Sequence, residues 1–161
     1  MDRVYIGTIV NTHGVRGELR LRSDFEYKKL VFKPGVKVYI NNNEYTIRTY
    51  RYHKIFDMIT LEGYDNINDV IMLKTKKVYV DRSVLNLEND SYLLEDLIGC
   101  TLVIDNNEIG LIKDYITGQN PLLIANIDNK TKYIPNNKDF IKEVDINNKK
   151  VYLEAIAKGV I

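Results

Sequence analysis

Little in this 161-residue sequence could bind a metal, form a disulfide or span a bilayer. Its single cysteine, Cys100, excludes an intramolecular disulfide and fits a reducing cytosol. Set between Ile98-Gly99 and Thr101-Leu102-Val103, Cys100 reads as a buried structural thiol. The two histidines, His13 and His53, lack His-x-x-x-His spacing, and one cysteine cannot complete a structural zinc site with them. No metal and no cofactor is therefore expected. No apolar run approaches the ~20 residues a membrane-spanning helix needs, so no membrane partner is expected. The N-terminus shows no basic segment followed by an apolar core, as a secretory signal would, and the expected location is cytoplasmic. The phosphate-cradling patterns Gly-x-x-x-x-Gly-Lys-Ser/Thr and Gly-x-Gly-x-x-Gly are missing, as is the Gly-x-Ser-x-Gly nucleophile turn. Glu95-Asp96 is an acidic pair, but neighbours on a chain seldom face one another productively. These absences point away from an enzyme, and no catalytic residue is assigned.

What is present is an ordinary globular composition, 45% apolar and 28% charged, with an uneven charge distribution. Residues 1–82 carry 15 Lys and Arg against 10 Asp and Glu, while residues 83–161 carry 8 against 12. A basic half joined to an acidic half points to RNA for the first and a basic protein for the second. A chance imbalance on two solvated surfaces explains the same counts.

The stretch Ile6–Arg22 reads as strand, turn, strand. Ile6, Ile9 and Val10 suit a buried strand. Asn11-Thr-His-Gly is expected to be the turn, with Gly14 and Gly17 supplying positive φ. From Glu18 the alternation is strict: Leu19 and Leu21 face a core, while Glu18, Arg20 and Arg22 face solvent. Arg16, Arg20 and Arg22 form either a phosphate-contacting strip or a solvated face. His13, at the tip, is open to three readings: a structural residue, an RNA contact or a base. A second basic and aromatic patch, Arg48-Thr-Tyr-Arg-Tyr-His-Lys54, contains Arg51. Its stacking and charge suit irregular RNA, or they protect an exposed sheet edge.

Further strands are expected at Val36–Ile40, Glu44–Tyr52, Met58–Glu62 and Lys76–Asp81. Phe25–Phe32 is expected as a loop and Lys54–Asp57 as a turn. Ile67, Val70 and Ile71 fall at helical spacing behind Asn66 as N-cap, a short helix plugging one end of a barrel. Residues 83–91 read as a linker. Beyond it come strands at Thr101–Ile104, Ile109–Ile116, Leu122–Ala125 and Lys132–Ile134. A helical turn at Lys138–Ile141 and a closing hairpin from Glu143 to Ala155 follow. The frequent asparagine pairs read as sequence bias more than chemistry. The whole is mainly β, in two small domains.

The order of motifs is similar to that of the ribosome maturation factor RimM family. Gly7-Thr-Ile-Val-Asn-Thr-His-Gly-Val-Arg-Gly-Glu-Leu-Arg-Leu resembles its opening. Tyr92-Leu-Leu-Glu-Asp-Leu-Ile-Gly99 resembles the tyrosine-rich start of its second domain. Gly110-Leu-Ile-Lys-Asp-Tyr, Thr117-Gly-Gln-Asn120, Ile134-Pro135, Val144-Asp145 and Lys158-Gly-Val-Ile161 follow in the family's order. Three positions depart from it: Leu93 where a second tyrosine is common, Pro121 where aspartate is usual, and Asn136-Asn137 where an apolar pair beginning with phenylalanine is usual.

The resemblance implies a six-stranded antiparallel barrel of the translation-factor type over 1–82, the linker 83–91, and a PRC-barrel over 92–161. It implies a non-catalytic monomer that binds the immature small (30S) ribosomal subunit, assists assembly of its head and promotes 16S rRNA maturation. The expected partners are 16S rRNA and a ribosomal protein of the small-subunit head. His13, Arg16, Arg20, Arg22 and Arg51 are the candidate RNA contacts. Tyr92, Leu93, Asp96, Leu97 and Asn120 are the candidates for the protein partner or the domain junction, with Tyr92 and Leu97 equally readable as core. The rival readings are a PRC-barrel docking scaffold without RNA binding, and a barrel enzyme using His13 as base.

Overall fold

The computed structural model describes residues 2–87 and 91–161. The chain divides into two compact units, Met1–Asn86 and Leu87–Ile161.

The first unit is a closed barrel of six strands, all paired antiparallel: β1 (Arg3–His13), β2 (Glu18–Arg22), β3 (Lys37–Ile40), β4 (Asn43–His53), β5 (Phe56–Leu61) and β6 (Lys77–Asp81). They run around the barrel in the order β1-β2-β5-β4-β3-β6. Period-two alternation builds the core, with Val4, Ile6, Ile9, Leu19, Leu21, Val38, Ile40, Ile47, Ile59, Leu61, Val78 and Val80 all buried. β1 must bend to close the barrel, and it does so at two irregularities. Its register shifts between Ile9 and Asn11 against β2, and between Tyr5 and Gly7 against β6. An extra residue in one strand bends it and increases its twist.

The first of these shifts moves the turn away from its expected place. Asn11, Thr12 and His13 continue the strand and pair with Arg20, Leu19 and Glu18, so the turn spans residues 14–17. Gly17 has a positive φ of 83°, and a Cβ there would lie 2.3 Å from the Tyr64 carbonyl oxygen. The Val15 carbonyl accepts from the Ile67 N–H at 2.9 Å. The hairpin tip is therefore fastened to the segment that leads into α2 (Ile67–Val70).

Asn66 caps α2 as its type predicts, its side chain accepting from the Asn68 N–H at 2.8 Å. The buried face is Val70 and Leu73, while Ile71 is exposed. The helix tightens into a 3-10 turn at Ile71–Leu73, which shifts the helical spacing by a position. Two other expectations are corrected. Lys28–Val31 forms a short helix, α1, inside the expected loop, and Phe56-Asp57 belong to β5 and not to a turn. Asp57 is fully buried, and it is held by the Tyr50 hydroxyl at 2.6 Å and by Lys28 Nζ at 2.8 Å.

Of the expected linker, Ser83–Leu85 lie in a 3-10 turn (Arg82–Leu85) with Leu85 buried, and residues 88–90 lie outside the described residues.

The second unit is a six-stranded sheet: β7 (Thr101–Ile104), β8 (Asn107–Ile116), β9 (Leu122–Ile127), β10 (Lys130–Pro135), β11 (Ile141–Asp145) and β12 (Lys150–Leu153). Its order is β10-β9-β8-β7-β12-β11, with β12 and β7 parallel. Leu102, Ile104, Ile112, Leu123, Ile127, Ile134, Val151 and Leu153 form its core with Cys100, whose thiol is pushed up by burial. Gly110 admits the neighbouring strand, because a Cβ there would sit 2.3 Å from the Asn126 carbonyl oxygen.

Asparagine and aspartate at the turns have a structural reason that a reading as sequence bias overlooks. Asn41-Asn42, Asp105-Asn106 and Asp128-Asn129 all have positive φ, between 49° and 65°. Two consecutive left-handed residues make the turn whose twist matches a β-hairpin, and Asn and Asp tolerate that conformation.

Candidate nucleic-acid interface

The outward face of β2 carries Glu18, Arg20 and Arg22, as the alternation requires, with Leu19 and Leu21 buried beneath. β5 lies beside it, pairing Arg20 with Met58, and β4 follows, pairing Met58 with Arg51. Paired residues share a face, so Arg20 and Arg51 flank a buried Met58 on the outside of the barrel.

The side chains here hold one another. Arg51 donates from Nε to Glu18 Oε2 at 2.9 Å and from Nη2 to Glu18 Oε1 at 2.7 Å. This two-pronged pair holds the Glu18 carboxyl below its ordinary range and raises Arg51 further. Arg51, a candidate RNA contact, has these donors paired with Glu18 in this structure. Arg48 is likewise paired with Asp65.

Arg20 Nη2 lies 2.9 Å from His13 Nδ1. A guanidinium can only donate, so Nδ1 accepts and the ring proton of His13 sits on Nε2. The Arg20 guanidinium carbon lies 5.1 Å from the centre of the Phe56 ring. His53 comes within 6.0 Å of His13, ring to ring. Burial, and then the nearby Arg51 and Lys54 charges, hold its imidazole below the ordinary value. His13 Nδ1 is engaged by Arg20, so the histidine at the tip braces an arginine. Arg16 in the turn and Arg22 at the strand end are exposed, with no ion pair among the described residues.

In the second unit, the Tyr92–Leu97 segment forms a 3-10 turn over Leu94–Leu97. The Asp96 carboxylate accepts from the Leu93 N–H at 2.8 Å, and the Cys100 thiol meets the Asp96 carbonyl at 3.4 Å. Leu93 and Leu97 are buried, Leu97 inside the core of this unit, and Tyr92 packs partly against that core. These leucines shape the turn and do not present a surface. Asn120 is exposed in the 117–121 loop, next to exposed Ile116.

Pro121 and Asn136-Asn137 meet one another. The Asn136 N–H donates to the Pro121 carbonyl at 2.9 Å, and Asn137 accepts from the N–H groups of Asp139 and Phe140 at 3.0 and 3.2 Å. The 117–121 loop is thus tied to the segment after Pro135.

Residues reached only by folding are Phe56 and His53, which sit beside Arg20 and His13, and Glu18 as the partner of Arg51. The alternation placed Glu18 outward, but nothing in the chain order shows that Arg51, two strands away, would reach it. Among the described residues no group of three or more His, Cys, Asp or Glu could hold a metal ion. No helix among them is long and apolar enough to cross a membrane.

A closed antiparallel barrel with a basic outer face, followed by a separate β unit, defines a class of two-domain β proteins. Comparison narrows it. Residues 4–85 match the RimM N-terminal domain and residues 94–156 match the RimM PRC barrel domain. The chain is 41% identical over 160 residues to the ribosome maturation factor RimM of Staphylococcus aureus strain bovine RF122 / ET3-1, covering 94% of this chain and 95% of that one. It is 40% identical to the protein of the same name from strain MRSA252, with the same coverage. Two solved structures are more distant, both at 20% identity. One is a putative 16S ribosomal RNA processing protein RimM from Pseudomonas aeruginosa, with a TM-score of 0.45 over 98% of this chain and 99% of that one. The other is the N-terminal domain of RimM from Thermus thermophilus, with a TM-score of 0.47 over 53% of this chain and 95% of that one. The chain belongs to the RimM family.

Proposed function

We propose that this chain is a non-catalytic ribosome assembly factor that binds the immature small (30S) subunit, assists maturation of its head and promotes processing of 16S rRNA. The observation that carries the proposal is the 41% identity across 94% of the chain to a protein named a ribosome maturation factor. The geometry supplies a means. Arg16, Arg20 and Arg22 lie on one hairpin of the basic unit, with Arg20 aimed by His13 and Phe56. This hairpin contacts the phosphates of 16S rRNA. Arg51 contributes once Glu18 releases it.

The acidic second unit takes a basic ribosomal protein of the small-subunit head. Contacts come from Tyr92, Asp96 and Asn120, on a surface shaped by Leu93 and Leu97. Holding an rRNA junction and a ribosomal protein on one chain makes the second binding event intramolecular and lowers the entropy cost of joining them. The protein acts as a monomer in the cytoplasm.

Co-sedimentation tests the proposal. The protein is expected with free small subunits and absent from mature 70S particles. No association with subunits at low salt overturns it.

A further inference from the structure

A hollow of about 510 Å³ opens in the barrel at a place the arginine hairpin does not reach, lined by Arg3, Tyr39, Asn41, Asn42, Thr75, Lys76, Lys77 and Tyr79. We propose that this hollow is a second RNA site, which takes one unstacked nucleotide of a single strand, its base against tyrosine and its phosphate on lysine. The choice of RNA rests on the ribosome reading above. The pocket itself is argued from its own residues.

The hollow lies beside the seam between β3 and β6. β3 and β6 share a single register pair, Tyr39 with Tyr79, whereas β1 and β6 share five. Its volume falls within the roughly 300–1,000 Å³ of small-molecule sites. Its lining holds three cations and no carboxylate. Arg3 lies 3.7 Å over the Tyr39 ring and reaches toward Asp81 at 3.8 Å. Lys76 and Lys77 are exposed and have no carboxylate partner among the described residues, and Lys77 lies 5.8 Å from the centre of the Tyr5 ring.

The open aromatic wall is Tyr79, which meets Tyr5 edge-on at 5.9 Å. Tyr39 is buried behind it, its ring covered by Arg3 and its hydroxyl 3.0 Å from Asp81 and 3.3 Å from Glu44. Rigid aromatic faces beside mobile cations are how proteins hold single-stranded nucleic acid, because every base offers a π-face. Asn41 and Asn42 add side-chain amides able to bond a base edge.

The backbone is strained at the same place. Thr75 has φ +75°, which is costly for a β-branched residue. It is pinned there by Ile9, whose carbonyl accepts from the Thr75 N–H at 2.8 Å and whose N–H donates to the Lys76 carbonyl at 2.9 Å. The strain sets the direction in which the chain delivers Lys76 and Lys77 to the hollow.

The test is an NMR titration of the full chain with a short oligouridylate, a strand whose bases stack weakly on one another, and separately with uridine monophosphate. The oligomer is expected to shift the amides of Asn41, Asn42 and residues 75–79. The double change Lys76→Glu with Lys77→Glu, at exposed positions, is expected to weaken binding at least tenfold and to lower the salt slope by about 1.4. Tyr79→Leu keeps an apolar side chain but removes the stacking face, and should cost about fivefold or more. Uridine monophosphate, which carries one base and one phosphate, is expected to shift the same amides. Shifts confined to other faces, or unchanged affinity in the double variant, would each overturn the assignment. Subunit co-sedimentation of the unaltered protein separates the two readings. If the titration fails while the unaltered protein still sediments with small subunits, the hollow is not an RNA site and the ribosome reading stands.

Discussion

Two walls of one barrel handle positive charge differently. On the β2-β5-β4 wall three cations are held by neighbours, Arg51 by Glu18, Arg48 by Asp65 and Arg20 by His13 and Phe56, while Arg16 in the turn and Arg22 at the strand end stand exposed with no ion pair among the described residues. At the β3-β6 seam, Lys76 and Lys77 face a hollow whose lining has no carboxylate. A held arginine is oriented but partly cancelled, whereas an unheld lysine keeps its charge and has still to be ordered. The first arrangement favours geometry at fixed phosphates and the second favours capture of a mobile strand.

The largest effect on this contrast is expected where the hairpin wall is fastened. Gly17→Ala combines a left-handed φ with a Cβ only 2.3 Å from the Tyr64 carbonyl, and should destabilise the barrel by about 3 kcal/mol or more. Gly14→Ala carries only the conformational penalty, since nothing lies within 4 Å of its Cβ position, and should cost about 1 kcal/mol. Thermal melts of the two variants measure the gap, and equal losses would mean that the Tyr64 contact does not hold the tip.

Next in size is the triple change of Arg16, Arg20 and Arg22 to Ala. It should weaken small-subunit binding by about 10- to 100-fold and flatten the salt dependence by about one unit per lost contact. An unchanged slope would move the RNA footprint off this wall.

Glu18→Gln is expected to act in the opposite direction. It leaves Arg51 without its anionic partner and adds a cation to the wall, so RNA binding should tighten by roughly twofold to fivefold at low salt. Weaker binding would show that Arg51 serves by being held.

The smallest effect is on acid stability. The Glu18 carboxyl is depressed from 4.5 in the fold, so its pair with Arg51 contributes fully above that value and is lost as pH falls through the depressed one. The pair is partly exposed, so the loss is expected to be small. His53, lowered from 6.5, adds to the same trend: stability rises with pH in the window just below 6.5 and falls as the ring is forced to charge. Acid melts of Glu18→Gln against the unaltered protein isolate the first contribution.

Much of the architecture is legible in the chain because strand alternation is local. Leu19 and Leu21 declare their face within five residues, and Asn66 announces a helix start. Features that depend on distant partners are not legible in this way. Asn11-Thr-His resembles a turn by residue type, yet pairing with Arg20, Leu19 and Glu18 carries the strand on to His13. Lys28–Val31 shows no helical spacing of apolar residues. The parallel pairing of β12 with β7 joins segments some fifty residues apart. The site divides along the same line. The arginine row is visible from period two, whereas the Glu18–Arg51 pair and the hollow around Tyr79 arise only when non-adjacent strands meet. The RimM resemblance, carried by seven motifs in order, reaches the family without reaching those contacts.

The single rung between Tyr39 and Tyr79 also bears on how the barrel is made and how it breathes. β6 can complete the ring only after nearly the whole first unit has been synthesised, and a lone rung between strands so far apart in sequence returns little for the loop it closes. The seam is thus the last joint to form during folding and the first to open in the native state, exchanging its amide protons ahead of the β1-β2 and β4-β5 ladders.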